Sequence, residues 1–237
     1  MTFLNRFLFF SGMLLYGMLQ GQITKPIMEN ALLIAASNSN KLENSKQLLV
    51  VYNNQIESYS AQFVALEKKD GLWRLKQGPV SAGIGKKGFA RSSEKREGDG
   101  KSPTGIFRLG KLFSYEKQTK TLLENQQTTA EDKWIDDPNS DQYNTYVSGS
   151  TDAKSYENLL LKNDAYKYCM VIEYNTDPVI KGKGSAIFFH LATKKPSYTA
   201  GCVAIDEENM KTVISWLDPK QNPVIIMGNL QELIDGL

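Results

Sequence analysis

The sequence predicts a mostly β protein, a sandwich or barrel of mainly antiparallel strands with a few short helices. Short apolar segments recur between residues 47 and 227, and Gly, Pro, Asn or Asp residues separate them, which is typical of strands joined by turns. The chain has 237 residues and shows neither an internal repeat nor a linker, so its length suits one sizeable core. We therefore expect a single domain over residues 45–237.

The predicted strands share a short length, an apolar or alternating pattern and flanking turn residues. In chain order they are Gln47–Tyr52, Ala61–Leu66, Leu72–Leu75, Val80–Ile84, Ile106–Leu109, Cys169–Tyr174, Ser185–His190 and Val224–Met227. Between the second and the third, Lys68-Lys-Asp-Gly71 supplies the Asp-Gly pair of a tight hairpin turn.

Helical spacing of apolar residues is clearest between Asp206, a suitable N-cap, and Leu217, where Asp218-Pro219 ends the pattern. Two weaker helical patterns follow the same rule. They cover Ile27–Ala36, inside a polar lead-in of residues 22–44, and Tyr156–Leu161.

A long stretch without clear periodicity runs from about residue 118 to residue 150 and contains Trp134 and several tyrosines. Loops of this length in a compact domain are usually functional or disordered, and the aromatic content argues against full disorder. We interpret the stretch as a lid or cleft wall, with Trp134 as a candidate substrate-binding residue. Packing against the barrel is the alternative.

The first 21 residues are typical of an export signal. Arg6 precedes an apolar run from Phe7 to Leu19, and Gly21 follows at a suitable cleavage point. The run is short for a transmembrane helix, which needs about 20 apolar residues. We therefore expect an exported protein, in the periplasm or cell envelope, with membrane contact only through residues 1–21 if they stay uncleaved.

Composition and spacing exclude several classes of ligand. The formal net charge is +2, which argues against a nucleic-acid partner. Gly83-Ile-Gly85-Lys-Lys-Gly88 matches a dinucleotide-binding spacing, but no apolar helix follows it, so we expect no nucleotide. One histidine and two distant cysteines do not make a zinc site. We expect no metal and no cofactor.

The candidate catalytic residues are His190 and Cys202. His190, the only histidine, ends a short apolar strand, and Cys202 stands twelve residues later behind the small Gly201. A thiol becomes a strong nucleophile near neutral pH when an imidazole takes its proton. The helix predicted after Cys202 could also place its positive end near a thiolate, so we expect a thiol pKa below about 8.5.

Structural explanations compete with this interpretation. A single histidine at a strand end is often a buried structural residue, and a cysteine in an apolar run is usually a small hydrophobic residue. In an oxidising compartment, Cys169 and Cys202 could also form a disulfide, which would leave no nucleophile.

Two segments resemble the L,D-transpeptidase (YkuD-type) family. One is Ser197-Tyr-Thr-Ala-Gly-Cys-Val-Ala204 with His190 upstream, and the other is Arg96-Glu-Gly-Asp-Gly-Lys-Ser-Pro-Thr-Gly-Ile-Phe107. The similarity extends over roughly residues 46–228. Ala200 and Ala204 depart from the His and Arg that many members have there. The resemblance implies a β-sandwich or open barrel of mixed, mainly antiparallel strands.

The resemblance also implies a function. It indicates an exported cysteine acyl-transferase that acts on donor and acceptor stem peptides of peptidoglycan through a thioester on Cys202. His190 would be the base, and Gly201 would free the backbone N–H of Cys202 for the oxyanion. The other candidate substrate-binding residues are Arg96, in a basic loop, and Tyr198 and Thr199.

Two alternative functions stay open from the sequence. Water in place of an amine would resolve the same thioester and make the protein an L,D-carboxypeptidase. A non-catalytic cell-wall-binding module, with His190 and Cys202 as structural residues, is the alternative outside the enzymes.

Overall fold

The computed structural model describes residues 24–193 and 197–237, so the predicted signal segment of residues 1–21 lies outside the described residues. The strands are β1 (Gln47–Asn53), β2 (Ser60–Lys69), β3 (Leu72–Gly83), β4 (Gly105–Ser114), β5 (Asn125–Gln127), β6 (Asp132–Ile135), β7 (Tyr146–Ser148), β8 (Tyr156–Asn158), β9 (Tyr168–Ile172), β10 (Phe188–Leu191), β11 (Val203–Ile205) and β12 (Val224–Asn229). Helix α1 covers 24–37 in the described part. It is followed by α2 (Glu207–Trp216), a 3₁₀ turn (Pro219–Gln221) and α3 (Leu230–Asp235).

Most strands of the described chain belong to one sheet, in the order β12-β1-β2-β3-β11-β10-β9-β4-β5. Because β12 pairs with both β1 and β4, the sheet closes on itself and β5 extends its margin. The pairs β1–β12, β10–β11 and β4–β5 are parallel and the others antiparallel. The predicted mixed, mainly antiparallel architecture is confirmed, with a closed barrel.

Strand β1 is buried along its whole length because both of its faces pack against apolar layers. Leu49 and Val51 point into the barrel, whereas Leu48 and Val50 face outwards. The outward residues pack against Ile34 of α1 and Leu233 of α3. Two-sided burial explains the uninterrupted apolar run that predicted this strand.

The helix α1, predicted over Ile27–Ala36, is present and forms part of this outer layer. Asn38, just after the helix, donates its side-chain amide to the carbonyls of Ile34 and Leu233 at 2.9 and 2.8 Å. The polar lead-in therefore covers one side of the barrel rather than trailing from it.

A separate sheet of β7-β6-β8 forms from the predicted irregular stretch and the residues just after it. Together with one outer face of the barrel it encloses a third apolar cluster, which holds Trp134, Tyr166, Phe188, Cys169 and Cys202. Of the two interpretations of the stretch, packing against the barrel therefore describes Trp134. The segment of residues 118–158, called the insertion below, covers the barrel face on which Cys202 lies.

Two local predictions need correction, and a third is confirmed. Tyr156–Leu161 is not a helix, because Tyr156–Asn158 pairs with β6 as strand β8. The two strands predicted at Leu72–Leu75 and Val80–Ile84 are one strand, β3, and Pro79 is tolerated because the β2–β3 register is irregular there. The hairpin turn is confirmed, with positive φ at Asp70 and Gly71.

Candidate active site

Strands β10 and β11 bring the two candidate residues to one face of the barrel. The strands are parallel, with Phe189 opposite Val203 and His190 opposite Ala204. Since side chains alternate along a strand, Cys202 lies on the same outer face as His190, displaced by two residues. A strand spacing of about 4.8 Å and a rise of about 3.3 Å per residue place their Cα atoms about 8 Å apart.

The Cys202 thiol is held by two backbone groups of the segment that enters β10. The N–H of Phe188 donates to Sγ at 3.3 Å, and the S–H donates to the carbonyl oxygen of Ala186 at 3.2 Å. The side chain is therefore fixed in a neutral state, with one donor already directed at the sulfur where negative charge would develop.

The carbonyl of Ala186 is held in place by an uncommon backbone conformation. Ala186 has a φ of +52°, which costs about 1–3 kcal/mol for a non-glycine residue and is often found at functional sites. The amide oxygen of Asn144 accepts from the Ala186 N–H at 3.0 Å and from Trp134 Nε1 at 2.8 Å. This conformation also explains why β10 begins at Phe188 and not at Ser185.

The turn before Cys202 is tied to the second resemblance segment. Ser102 donates its hydroxyl to the Gly201 carbonyl at 2.6 Å and accepts from the Gly85 N–H at 3.0 Å. A Cβ on Gly201 would lie 3.0 Å from the carbonyl oxygen of Lys101, so this close approach favours glycine. Thr199 closes the turn, donating to the Cys202 carbonyl at 2.7 Å and accepting from the Gly201 N–H at 3.1 Å.

His190 is buried and oriented by the backbone. Its Nδ1 lies 3.0 Å from the Leu191 carbonyl oxygen, and because a carbonyl only accepts, Nδ1 carries the proton and Nε2 is left as the base. The ring of Tyr166 meets the imidazole edge-on at a centroid distance of 5.1 Å. The structure thus orients His190 through a carbonyl group.

The electrostatics favour a neutral pair in the resting protein. Burial, with the Glu157 carboxylate nearby, raises the pKa of Cys202, while the Phe188 N–H and the Lys95 ammonium oppose the rise. Burial lowers the pKa of His190 to about 4, although hydrogen bonding to the carbonyls of Leu191 and Ala165 acts to raise it. No hydrogen bond joins these two described side chains. The expectation of a low thiol pKa is therefore wrong for the resting state.

The predicted effect of a helix dipole on Cys202 is wrong as well. Strand β11 separates Cys202 from α2, whose N-cap is Asp206 as predicted. Three extended residues span about 10 Å, whereas the dipole acts within the first turn of a helix.

Cys202 lies between two cavities. The larger, of about 240 Å³, is also lined by His190, Tyr166 and Tyr198. The smaller, of about 60 Å³, is lined on its other side by Lys95, Glu97 and Asp136, among others. A thiol that borders two cavities can meet one group on each side.

The remaining sequence candidates fall in different places. Tyr198 and Thr199 line the larger cavity, and the exposed Tyr198 ring stands edge-on to Tyr59 at 5.9 Å. Trp134 is buried, packs edge-on against Phe188 and lines neither cavity. Arg96 is exposed, lines neither cavity, and bonds to the carbonyl oxygens of Ser93 and Lys95.

Sequence reasoning missed Glu157 and Asn144, which lie near the thiol, and preferred Arg96 to Lys95 within the basic loop. Lys95, next to Arg96, is the buried cation, and Glu157 lines both cavities. Asn144 supports the Ala186 carbonyl from 42 residues away in the chain. Lys95 lies in the basic loop already singled out, but no local pattern marks Glu157 or Asn144.

Neither a metal centre nor a membrane helix is found in the described ranges. Among residues 24–193 and 197–237, no group of His, Cys, Asp or Glu is arranged to hold a metal ion. In the same ranges no helix has the length and apolar character to cross a membrane.

The closed mixed barrel carries a cysteine and a histidine on one outer face, beside and within neighbouring parallel strands. The chain belongs to the L,D-transpeptidase catalytic domain family (YkuD), whose model matches residues 47–226. This is a family of peptidoglycan enzymes. The family model ends before α3 and begins after α1, so both helices of the outer layer lie outside the match.

A search of the curated proteins finds no match. One solved structure is similar, the helical cell shape determining protein Pgp2 from Campylobacter jejuni, with 16% sequence identity and a TM-score of 0.37. The alignment covers 77% of this chain and 48% of that one, so this chain spans about half the length of its neighbour.

Proposed function

We propose that the protein is an exported cysteine acyl-transferase that acts on peptidoglycan stem peptides through a thioester on Cys202 and forms L,D-type cross-links. The observation that carries the proposal is the position of Cys202 in the wall between two cavities, with His190 on the same face. One cavity can hold the acyl donor while the other admits the group that resolves the thioester.

The first half of the reaction follows from the neutral pair. As Sγ of Cys202 attacks the amide carbonyl carbon between the L-centre and the terminal D-residue, Nε2 of His190 takes the thiol proton. The imidazolium then gives that proton to the leaving amine when the C–N bond breaks. General acid–base catalysis of this kind contributes about 10²- to 10⁴-fold.

The developing charges are met by groups already in place. The Phe188 N–H, 3.3 Å from Sγ, and the buried Lys95 favour the thiolate as it forms. The backbone N–H of Cys202 is the proposed donor to the oxyanion, in a turn fixed by Gly201 and Ser102. Loss of one such donor costs about 3–4 kcal/mol in other enzymes.

Hydrolysis of the same thioester is the second candidate function. The smaller cavity of about 60 Å³ beside Cys202 exceeds the roughly 10–15 Å³ that one water needs. Water attack from that side would make the protein an L,D-carboxypeptidase that shortens stem peptides.

The test is incubation of the purified protein with tetrapeptide-bearing muropeptides, followed by mass analysis. Transfer predicts a dimer that has lost one terminal D-residue, and hydrolysis predicts shortened monomers. Cys169→Ala should behave as the wild type and Cys202→Ala should yield neither product. Unchanged muropeptides with folded wild-type protein would contradict both enzymatic functions and favour a wall-binding module.

A further inference from the structure

Strand β8 of the insertion sheet places Glu157 beside the candidate nucleophile. Glu157 lines the larger cavity together with His190 and the smaller one together with Lys95, and Cys202 lines both. Among the described residues around these cavities, it is thus a carboxylate that reaches both sides of the thiol.

Tyr166 fixes the position of that carboxylate. The Tyr166 hydroxyl donates a short hydrogen bond to Oε2 of Glu157, and its ring packs edge-on against both His190 and Phe188. The same aromatic side chain therefore orients the carboxylate and borders the base. Oε1 of Glu157 has no hydrogen bond among the described residues and is left to contact a ligand.

The smaller cavity carries a surplus of negative charge. Its one cation, among the described residues that line it, is Lys95, whose ammonium is already bound to Asp99 at 2.8 Å and to the Arg96 carbonyl at 2.7 Å. Glu97, Asp136 and Glu157 line the same space. A surplus of carboxylates in a partly enclosed space favours a cationic ligand.

We propose that Glu157 is the acceptor-binding residue: its carboxylate binds the ammonium group of the acceptor and takes one proton from it before the amine attacks the thioester. The proposal rests on the acyl-transfer function above and assigns its acceptor as a primary amine delivered in its charged form. The neighbouring Asp136 and Glu97 contribute to the attraction, while Glu157 is the carboxylate of the three that lines both cavities beside Cys202.

The proton balance is complete with the groups present. An ammonium loses two protons when it becomes an amide nitrogen. One goes to Glu157 and from there to water in the open cavity. The other passes through His190 to Sγ of Cys202 as the C–S bond breaks and the new C–N bond forms, which restores the neutral thiol.

The basicity of Glu157 suits this role. Burial raises its pKa, the Asp136 and Glu97 carboxylates add to the rise, and the hydrogen bond from Tyr166 opposes it. A carboxylate with a raised pKa is a better proton acceptor than one at the surface.

The experiment separates the two half-reactions. The wild type, Glu157→Gln, Tyr166→Phe and the control Glu131→Gln are each loaded with a donor stem peptide, and the thioester is followed by intact mass. Diaminopimelate-containing tripeptide or buffer alone is then added to measure aminolysis and hydrolysis. Glu131 is exposed in the same insertion, so its variant controls for the loss of one negative charge.

Glu157→Gln should raise the amine concentration needed for half-maximal aminolysis about ten- to a hundredfold, the loss expected for a charged hydrogen bond. Acylation and hydrolysis should change far less, so the ratio of transfer to hydrolysis should fall. The control should keep the wild-type ratio. In the wild type the hydrogen bond from Tyr166 lowers the pKa of Glu157. Tyr166→Phe removes that bond and so raises the pKa of Glu157, and the acidic limb of the pH profile of aminolysis should move to higher pH.

Each outcome has a distinct meaning. A wild type that forms no thioester contradicts the proposed function, whatever Glu157 does. A wild type that forms the thioester and transfers it to the amine, with Glu157→Gln showing the same acceptor dependence, overturns the assignment of Glu157 alone. The assignment of Glu157 is also overturned if the acidic limb of the Tyr166→Phe profile coincides with that of the wild type. This second variant tests the assignment even where Glu157→Gln does not fold.

Discussion

Cys169 and Cys202 lie in the same buried cluster on the outer face of the barrel, and both are free thiols. Burial raises the pKa of each. Their surroundings differ. Cys169 sits inside β9, paired with Phe113 of β4, and lines neither cavity described above. Cys202 precedes β11, opens to both cavities and has a backbone donor and acceptor at its sulfur.

This difference indicates what could make one thiol reactive. A depressed resting pKa does not distinguish them, because burial acts on both in the same direction. The distinguishing features are access from two sides, a base on the neighbouring strand and a backbone held in a costly conformation at Ala186. In this account the proton leaves Cys202 during attack on the substrate.

The largest expected effect is the contrast between the two alanine variants. Cys202→Ala should lower turnover about 10⁴-fold or more, because the nucleophile is lost. Cys169→Ala should keep near wild-type turnover and lose about 1 kcal/mol of stability through a small cavity. Turnover assays with denaturant unfolding check both. An equal loss of activity in the two variants would contradict the assignment of Cys202, and not Cys169, as the nucleophile.

Removal of the base should have the next largest effect. His190→Ala should lower turnover about 10²- to 10⁴-fold, since Sγ then lacks a proton acceptor at attack. The rate of thioester formation in a single turnover is the measurement. A rate within threefold of the wild type would show that another group serves Cys202.

The buried imidazole also makes stability depend on pH. The folded pKa of His190, about 4, lies below the unfolded value of about 6.5, so between these values the unfolded chain binds more protons. Stability should therefore fall by about 3 kcal/mol as pH drops through that window. His190→Gln should lose this component. If the free energy of unfolding of the wild type and of His190→Gln changed with pH in the same way, the imidazole of His190 would be solvent-exposed rather than buried.

The smallest effect concerns the support of the Ala186 carbonyl. Asn144→Ala should lower turnover about ten- to a hundredfold, because Ala186 and with it the Cys202 thiol lose their fixed position. Trp134→Phe, which removes the Nε1–H donor to Asn144 together with part of the buried ring that packs on Phe188, should act in the same direction more weakly. Asn125→Ala, at an exposed position in β5, is the matched control. Wild-type turnover in Asn144→Ala would show that the hydrogen bonds of Asn144 to Ala186 and Trp134 do not contribute to activity.

Local sequence patterns were sufficient for much of the fold. The apolar run of β1, the Asp-Gly turn and the N-cap at Asp206 all depend on neighbouring residues, so the sequence predicts them correctly. The weak helical pattern at Tyr156–Leu161 failed because pairing with β6 overrode local preference. Closure of the barrel depends on β12 pairing with β4, which no local pattern shows.

The candidate site divides in the same way. His190, Gly201 and Cys202 could be proposed from the sequence because they stand close together in the chain beside recognisable strand and turn signals. Glu157 and Asn144 are brought to Cys202 by the insertion sheet, a tertiary contact without a sequence signature. The prediction of a low pKa for the Cys202 thiol was wrong because the local sequence shows the helix that follows but not the burial, which has the largest effect on this pKa.

Covalent capture with a carbapenem, whose strained ring opens when a nucleophile attacks its carbonyl, tests whether Cys202 is the reactive thiol. The purified protein is incubated at pH 7, and the adduct is located by intact mass and peptide mapping. We expect one drug mass per chain, on the peptide that carries Cys202, and none on the peptide with Cys169. An adduct on Cys169, or no adduct while both thiols titrate as reduced, would contradict it.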